Sequence, residues 1–346
     1  MQKEKVLVIC HLTDSKCNGQ VAKTKDVIAF LEKHNYEVDI YNYGKISKLS
    51  VFLEAKKVIR NYENIVLMPG GKKALFFFIK LIHKLKKQNA HYVAIGGWVL
   101  NLIQNDNNKQ YFEMLKSFKG VYLQNKHAVE IFEEKGFKNV FNIFSFSSKA
   151  PLTSVEAKQK AEAYKNVKEY KFCFFARVER TKGVLLACDA IKKTIEKYPN
   201  LKIYLDIFGE IKDNTLKNEL NTIIKTSSFI KYKGVLEYNC TKELSQYYCM
   251  LFPTFYHGEG TPHTIIESFM AALPAIASDW AYNSEIIKDK QTGLLFKLNT
   301  DELFKKICWA IEHPEQLKNM SIACYEDSKQ FNTNNLLAPL INNLKS

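Results

Sequence analysis

Short apolar runs alternate with longer stretches of helical periodicity along the whole chain. In the first half the runs are KVLVIC (5–10), EVDIYNY (37–43), NIVLMP (64–69), HYVAIG (91–96), GVYLQ (120–124) and NVFNIF (139–144). In the second half they are YKFCFFA (170–176), LKIYLDIFG (201–209), FIKYKGV (229–235), YCMLFPT (248–254) and PAIASD (274–279). Between them lie amphipathic stretches such as VAKTKDVIAFLEKH (21–34). Strand then helix, repeated, predicts an α/β protein with parallel sheets and helices on both faces. The polar, Ser/Lys-rich stretch SFSSKAPLTS (145–154) divides the pattern. Two doubly wound, Rossmann-like domains are therefore expected, over 1–150 and 151–325, with a helical segment over 326–346 that could cross back to the first. Ligands of such sheets bind beyond the carboxyl ends of the strands, so the expected site is a cleft between the domains.

Length and composition agree with this division. A chain of 346 residues exceeds one ordinary core, and 46% hydrophobic with 25% charged residues is a folded composition. No run of about 18 apolar residues occurs, so no membrane span is expected. The start, MQKEKVLVICHL, enters a strand pattern directly and lacks a signal-peptide pattern, which predicts a cytoplasmic protein. The eight cysteines form no C-x-x-C pair, and several lie in apolar stretches. Reduced, mostly buried thiols are expected, with neither a disulfide framework nor a metal site. The dinucleotide fingerprint G-x-G-x-x-G is missing, which weakens a nicotinamide enzyme. The charge of +14 is uneven: residues 1–150 hold 24 basic and 13 acidic side chains, residues 151–346 hold 26 and 23. A basic first half implies an anionic partner, whether nucleic acid, membrane surface or phosphate-bearing substrate.

Two segments of the second half carry candidate chemistry. In FFARVERTKGVLLACDAI, Arg177 falls at a strand end and Lys182 opens the next helix, with Gly183 giving the backbone room to turn. Two cations beside a helix N-terminus suit a diphosphate, because the helix dipole and free N–H groups add to the side-chain charge. In FPTFYHGEGTPHTIIESFMAALPAIASD, Gly258, Glu259 and Gly260 form a loop, Thr261 reads as an N-cap and Pro262 as the first helical residue. Ile265, Ile266, Phe269, Met270 and Leu273 then share a buried face, while His263 and Glu267 lie one turn apart on another. A diphosphate at that N-terminus would have a sugar on one side and a ribose on the other, and carboxylates take two hydroxyl donors well. Taken singly, these residues read as solvated loop and helix positions; their joint order and spacing favour a binding site.

With these segments in place, residues 170–300 resemble the C-terminal domain of retaining glycosyltransferases of family 4, which have the GT-B fold. The resemblance rests on Arg177, Lys182 and Gly183, on Glu259 and Glu267 with seven residues between them, and on ALPAIASDWAYNSEIIKDKQTGLLF. It implies that Arg177 and Lys182 neutralise the diphosphate of a nucleotide-sugar donor, most often UDP-linked. It implies that Glu259 contacts the transferred sugar and Glu267 the ribose, with Gly260 and Thr261 at the helix start and Gly234 and Val235 beside the base. Transfer would be metal-independent, without a tightly bound cofactor, and the departing phosphate would help to deprotonate the acceptor. The loop reads Glu259-Gly260-Thr261-Pro262 rather than Glu-Gly-Phe-Gly, which resembles a bacterial surface-polysaccharide branch. Ala176 stands where a glycine often precedes the arginine.

The first half resembles the family less closely. Gly19, in the loop after the first strand, is where the family brings backbone N–H groups to the diphosphate. Gly96-Gly97-Trp98 stands where many relatives carry a histidine, so no catalytic histidine is carried over. Gly97 and Trp98 are read either as the acceptor side or as a tight turn with a packed tryptophan. Residues 72–88 read as a basic helix, with Phe77, Phe78, Leu81, Ile82 and Leu85 inside and Phe76 and Ile79 stranded among Lys73, Lys80, Lys84 and Lys87. Such a helix suits an anionic leaflet, as at the inner face of a plasma membrane, and a polyprenyl-linked saccharide acceptor; a solvated outer face is the alternative. Rival readings are a nucleotide-sugar epimerase or other enzyme of the same fold, an inactive scaffold, and a nucleic-acid-binding protein. Against the last, no basic-aromatic binding motif is present.

Overall fold

The computed structural model describes residues 3–13, 19–45, 48–147, 149–236 and 240–345. The chain forms two compact units, Met1–Ser147 together with Asn332–Ser346, and Ser148–Phe331. Among the described residues each holds one six-stranded parallel sheet.

The first sheet contains β1 (Glu4–Cys10), β2 (Tyr36–Asn42), β3 (Asn64–Met68), β4 (Ala90–Val93), β5 (Gly120–Leu123) and β6 (Val140–Asn142), in the order β2-β1-β3-β4-β5-β6. The inner strands β3, β4 and β5 are buried along their whole length, as continuous apolar runs between two helical layers must be. Strand β2 is an edge and is only partly covered: Tyr36 and Tyr41 are buried while Glu37 and Ile40 are exposed. The last helix of the chain, Ala338–Lys345, buries Leu340, Ile341 and Leu344 in this core. Asn343 Nδ2 donates to the Tyr122 hydroxyl at 2.9 Å.

The helix Lys72–Lys84 corrects one expectation. Its buried residues are Leu75, Phe76, Phe78, Ile79 and Ile82, and Phe76 stacks on Tyr111 at 4.1 Å between ring centroids. Phe76 and Ile79 are thus core residues, whereas Phe77, Leu81 and Leu85 are only half-buried. Four consecutive apolar residues, Phe76 to Ile79, fit more than one helical stripe, and the sheet selects a stripe rotated from the expected one. The apolar contribution to a membrane-lying face is lost with it. No described helix is long and apolar enough to cross a membrane.

The second sheet contains β7 (Tyr170–Phe175), β8 (Ile203–Phe208), β9 (Ile230–Gly234), β10 (Cys249–Phe252), β11 (Ala275–Ser278) and β12 (Gly293–Phe296), in the order β12-β11-β10-β7-β8-β9. The chain winds outward from β7 through β8 to β9, then returns beside β7 and winds the other way through β10, β11 and β12. The pair β7 and β10 is therefore the switch point, where connections leave in opposite directions and open a crevice at the carboxyl ends. The described cysteines Cys10, Cys173, Cys188, Cys240, Cys249, Cys308 and Cys324 are free and buried.

Candidate functional site

The loops after β7 and β10 pack backbone to backbone at this switch point. Phe255 N–H donates to the Thr181 carbonyl at 2.7 Å. Gly183 has φ +78°, and a Cβ there would lie 2.0 Å from the Pro253 carbonyl oxygen. Only glycine satisfies both conditions, the left-handed backbone and the close approach. Lys182 does not open the helix as expected. It ends a 3-10 turn, Arg180–Lys182, and Gly183 caps the helix Val184–Lys197 behind it. The left-handed glycine turns the chain here, so the lysine leaves the loop toward β10 instead of running along a helix face.

Lys182 is buried, and its Nζ lies 2.5 Å from Oε2 of buried Glu259. The same oxygen accepts a hydrogen bond from Thr254 Oγ1 at 2.9 Å, while Oε1 takes none among the described residues. Tyr256 supplies a face for both cations: Lys182 Nζ is 4.7 Å and Arg177 Cζ 5.4 Å from its ring centroid. Arg177 lies two residues beyond β7, is partly exposed, and pairs with Glu179 Oε1 at 2.7 Å. Burial pulls the Lys182 pKa below the ordinary lysine value, Glu259 works the other way, and Arg177 adds to the lowering. The loop is propped from β11: Ser278 Oγ donates to the Thr254 carbonyl at 2.6 Å and Trp280 Nε1 to that of Tyr256 at 3.0 Å.

Gly260 and buried Thr261 lead from Glu259 to the helix His263–Met270. Its N-cap is Pro262 rather than Thr261, and no side chain caps it. Proline with φ −72° and ψ 117° holds the extended cap conformation, which shifts the helix start by one residue from the expected position. Pro262 offers the first helical N–H groups no side-chain acceptor, a condition that favours an anion. Ile265, Ile266, Phe269, Met270 and Leu273 are buried, as the periodicity predicts.

Glu267 is buried, not on a solvated face. Its Oε1 meets Lys149 Nζ at 2.5 Å and His263 Nε2 at 3.0 Å; its Oε2 faces Cys240 Sγ at 3.7 Å. His263 Nδ1 is buried with no hydrogen-bond partner among the described residues. Burial opposes the Glu267 charge, but His263 and Lys149 overcome it and hold the carboxyl at about 2. Because the folded value lies below the ordinary carboxyl value of 4.5, this stabilisation is complete above about pH 4.5 and is lost as pH falls through about 2. A Glu267→Gln variant should therefore show a shallower acid limb in urea melts between those pH values. The expected difference is on the order of 3 kcal/mol, and parallel limbs would contradict it.

The remaining expected residues are more dispersed. Gly234 ends β9 with φ +79° and Val235 after it is exposed; residues 237–239 lie outside the described residues. In the first unit Gly19 opens the helix Gly19–Lys33, and the loop residues 14–18 before it lie outside the described residues. Gly96 has φ +88°, and Trp98 Nε1 donates to the Ile95 carbonyl at 2.9 Å within that turn, which Gly97 continues as the cap of the next helix. Lys149, Cys240, Thr254 and Tyr256 are given no role by the sequence, and Ser278 and Trp280 enter only as members of the block that carries the family resemblance. Each acts through a contact distant in sequence or through a ring face, and neither has a spacing signature.

Residues 155–327, which contain most of both clusters, match the model for glycosyl transferases group 1. The chain belongs to that family. Over 182 residues it is 29% identical to an uncharacterized glycosyltransferase of Methanocaldococcus jannaschii, a match covering 51% of this chain and 39% of that relative. The chain thus aligns with about two fifths of the relative's length. Among solved structures, HepE of Anabaena in complex with UDP superposes with a TM-score of 0.74 at 13% identity, covering 99% of both chains. A pneumococcal O-GlcNAc transferase in complex with UDP and GlcNAc gives 0.62 at 17% identity, covering 84% of this chain and 60% of that one. At these identities the likeness is one of fold. The chain has the expected GT-B architecture of two Rossmann-like domains.

Proposed function

We propose that this group 1 glycosyltransferase moves a sugar from a UDP-linked donor to a hydroxyl of a saccharide or lipid-linked saccharide, with retention of anomeric configuration. The single observation that carries the reading is the buried Lys182–Glu259 pair beside Arg177 at the switch point. A buried ion pair seldom improves on apolar packing, so its presence at a crevice points to chemistry rather than stability. Lys182 and Arg177 would meet the diphosphate, together with the first N–H groups of the helix His263–Met270 and the backbone of Gly260 and Thr261. Glu259 Oε1 would accept from the transferred sugar, and Glu267 from the ribose. The base would lie against Gly234 and Val235.

As the donor breaks, negative charge grows on the diphosphate and positive charge on the anomeric carbon. Fixed cations on one side and a fixed carboxylate on the other stabilise both without reorganising, the largest effect available to such a site. Gly97 and Trp98 would lie on the acceptor side. Surface-polysaccharide synthesis fits the Glu259-to-Pro262 loop, and an anionic or lipid-linked acceptor fits the basic first half.

A thermal-shift panel of nucleotide sugars, followed by nucleotide release with added acceptors, tests the reading. UDP-sugars should raise the melting temperature and Arg177→Ala should abolish that rise. An unchanged shift in the variant would remove Arg177 from the phosphate site, and absence of any shift in the wild type would remove the donor.

A further inference from the structure

Lys149 lies in the polar stretch that divides the sequence pattern, yet it is among the more buried lysines, with 12% of its side chain exposed. Its ammonium touches one oxygen of Glu267 at 2.5 Å, and His263 Nε2 touches the same oxygen at 3.0 Å. Two donors on Oε1 fix both the charge and the rotation of the carboxylate. The second oxygen, Oε2, is thereby turned toward Cys240 Sγ at 3.7 Å. A thiol is a weak donor, so Oε2 retains most of its accepting capacity. Cys240 also accepts from Lys149 Nζ at 3.4 Å, which draws the thiol toward the lysine. Burial pushes that thiol up to about 12, so it brings no competing negative charge. Lys149 remains charged because the Glu267 carboxylate outweighs the cost of its burial.

We propose that Lys149 is a positioning residue for donor recognition: it holds Glu267 ionised and aims Oε2 at the ribose hydroxyls, and so sets the preference for a ribonucleotide. The inference rests on the donor reading above and adds to it the residue that makes the ribose carboxylate selective. A charged, oriented acceptor gains strongly from a hydroxyl, whereas a neutral or swinging carboxyl gains little. His263 alone supplies one donor from the same helix. Lys149 supplies the second from a separate segment, and two anchors from different segments fix a rotation that one cannot.

The test compares UDP with 2′,3′-dideoxy-UDP by calorimetry on the full chain, in wild type, Lys149→Met and Lys149→Arg. Wild type should prefer UDP by about thirtyfold, the worth of one or two charge-assisted hydrogen bonds. Lys149→Met should lower that preference to about threefold while binding the dideoxy nucleotide as wild type does, and Lys149→Arg should restore most of it. In turnover the loss should fall on the donor KM rather than on kcat. Should Lys149→Met fail to fold, Lys149→Gln carries the same comparison. Equal weakening toward both nucleotides would mean a phosphate contact or a general structural role and would overturn the proposal, as would an unchanged preference. Wild type that binds neither nucleotide overturns the donor reading itself, a result distinct from either.

Discussion

Lys182→Ala is expected to reduce sugar transfer by roughly a thousandfold, as removal of a fixed charge from a transition state does, and to destabilise the chain by about 3–5 kcal/mol. Both effects follow from one geometry. Lys182 and Glu259 are 77 residues apart in sequence and 2.5 Å apart in the fold, each with less than a tenth of its side chain exposed. Removing the ammonium leaves a buried carboxylate with the Thr254 hydroxyl as its donor among the described residues. The stability loss is therefore the cost of an uncompensated charge, while on the proposed function the rate loss would be that of a missing diphosphate ligand. The double variant Lys182→Ala with Glu259→Gln separates them: it should recover much of the stability in urea melts and none of the transfer. Wild-type transfer rates in Lys182→Ala would remove the lysine from the reaction.

The second large effect is expected at Gly183. A Cβ at this position meets the Pro253 carbonyl oxygen at 2.0 Å and its carbon at 2.8 Å, both backbone atoms that cannot rotate aside. Gly183→Ala also puts an L-residue in the left-handed region, by itself a cost of about 1–2 kcal/mol. The clash comes in addition, and relieving it must part the loops after β7 and β10 and so carry Lys182 away from Glu259. Gly183→Ala should thus lose more than about 3 kcal/mol together with nucleotide-dependent stabilisation. Gly234 is the matched control, with φ +79° and no described atom within 4 Å of the position a Cβ would take. Gly234→Ala should cost only the left-handed strain of about 1–2 kcal/mol. Equal costs at the two glycines would show that the Pro253 contact is not what fixes Gly183.

Most of the fold is legible in the sequence because the inner parallel strands, covered by helices on both faces, are largely apolar. The expected strands match β1 through β11 to within a few residues; β12 enters only within the block that carries the family resemblance. The helix Lys72–Lys84 shows the limit of periodicity, since Phe76 to Ile79 fit more than one face and the sheet had to choose. In the site, the types and spacing of Glu259 and Glu267 are readable, and so is the His263–Glu267 pair one turn apart, which the fold holds at 3.0 Å. The cap moves from Thr261 to Pro262 because cap geometry depends on ψ, which sequence does not display.

By itself the sequence determined what is periodic or local: two α/β halves, the helix after Glu259, and a cluster of cations and acids in the second half. The tertiary structure alone decided which charges meet. Strand order places β7 beside β10, and only that adjacency brings Lys182 onto Glu259 and both cations onto Tyr256. The contact of Lys149 with Glu267 likewise joins segments distant in the chain. Burial then turns residues that read as solvated into a preorganised site, because a charge withdrawn from water must find its counter-charge, and that counter-charge lies where the fold has carried it.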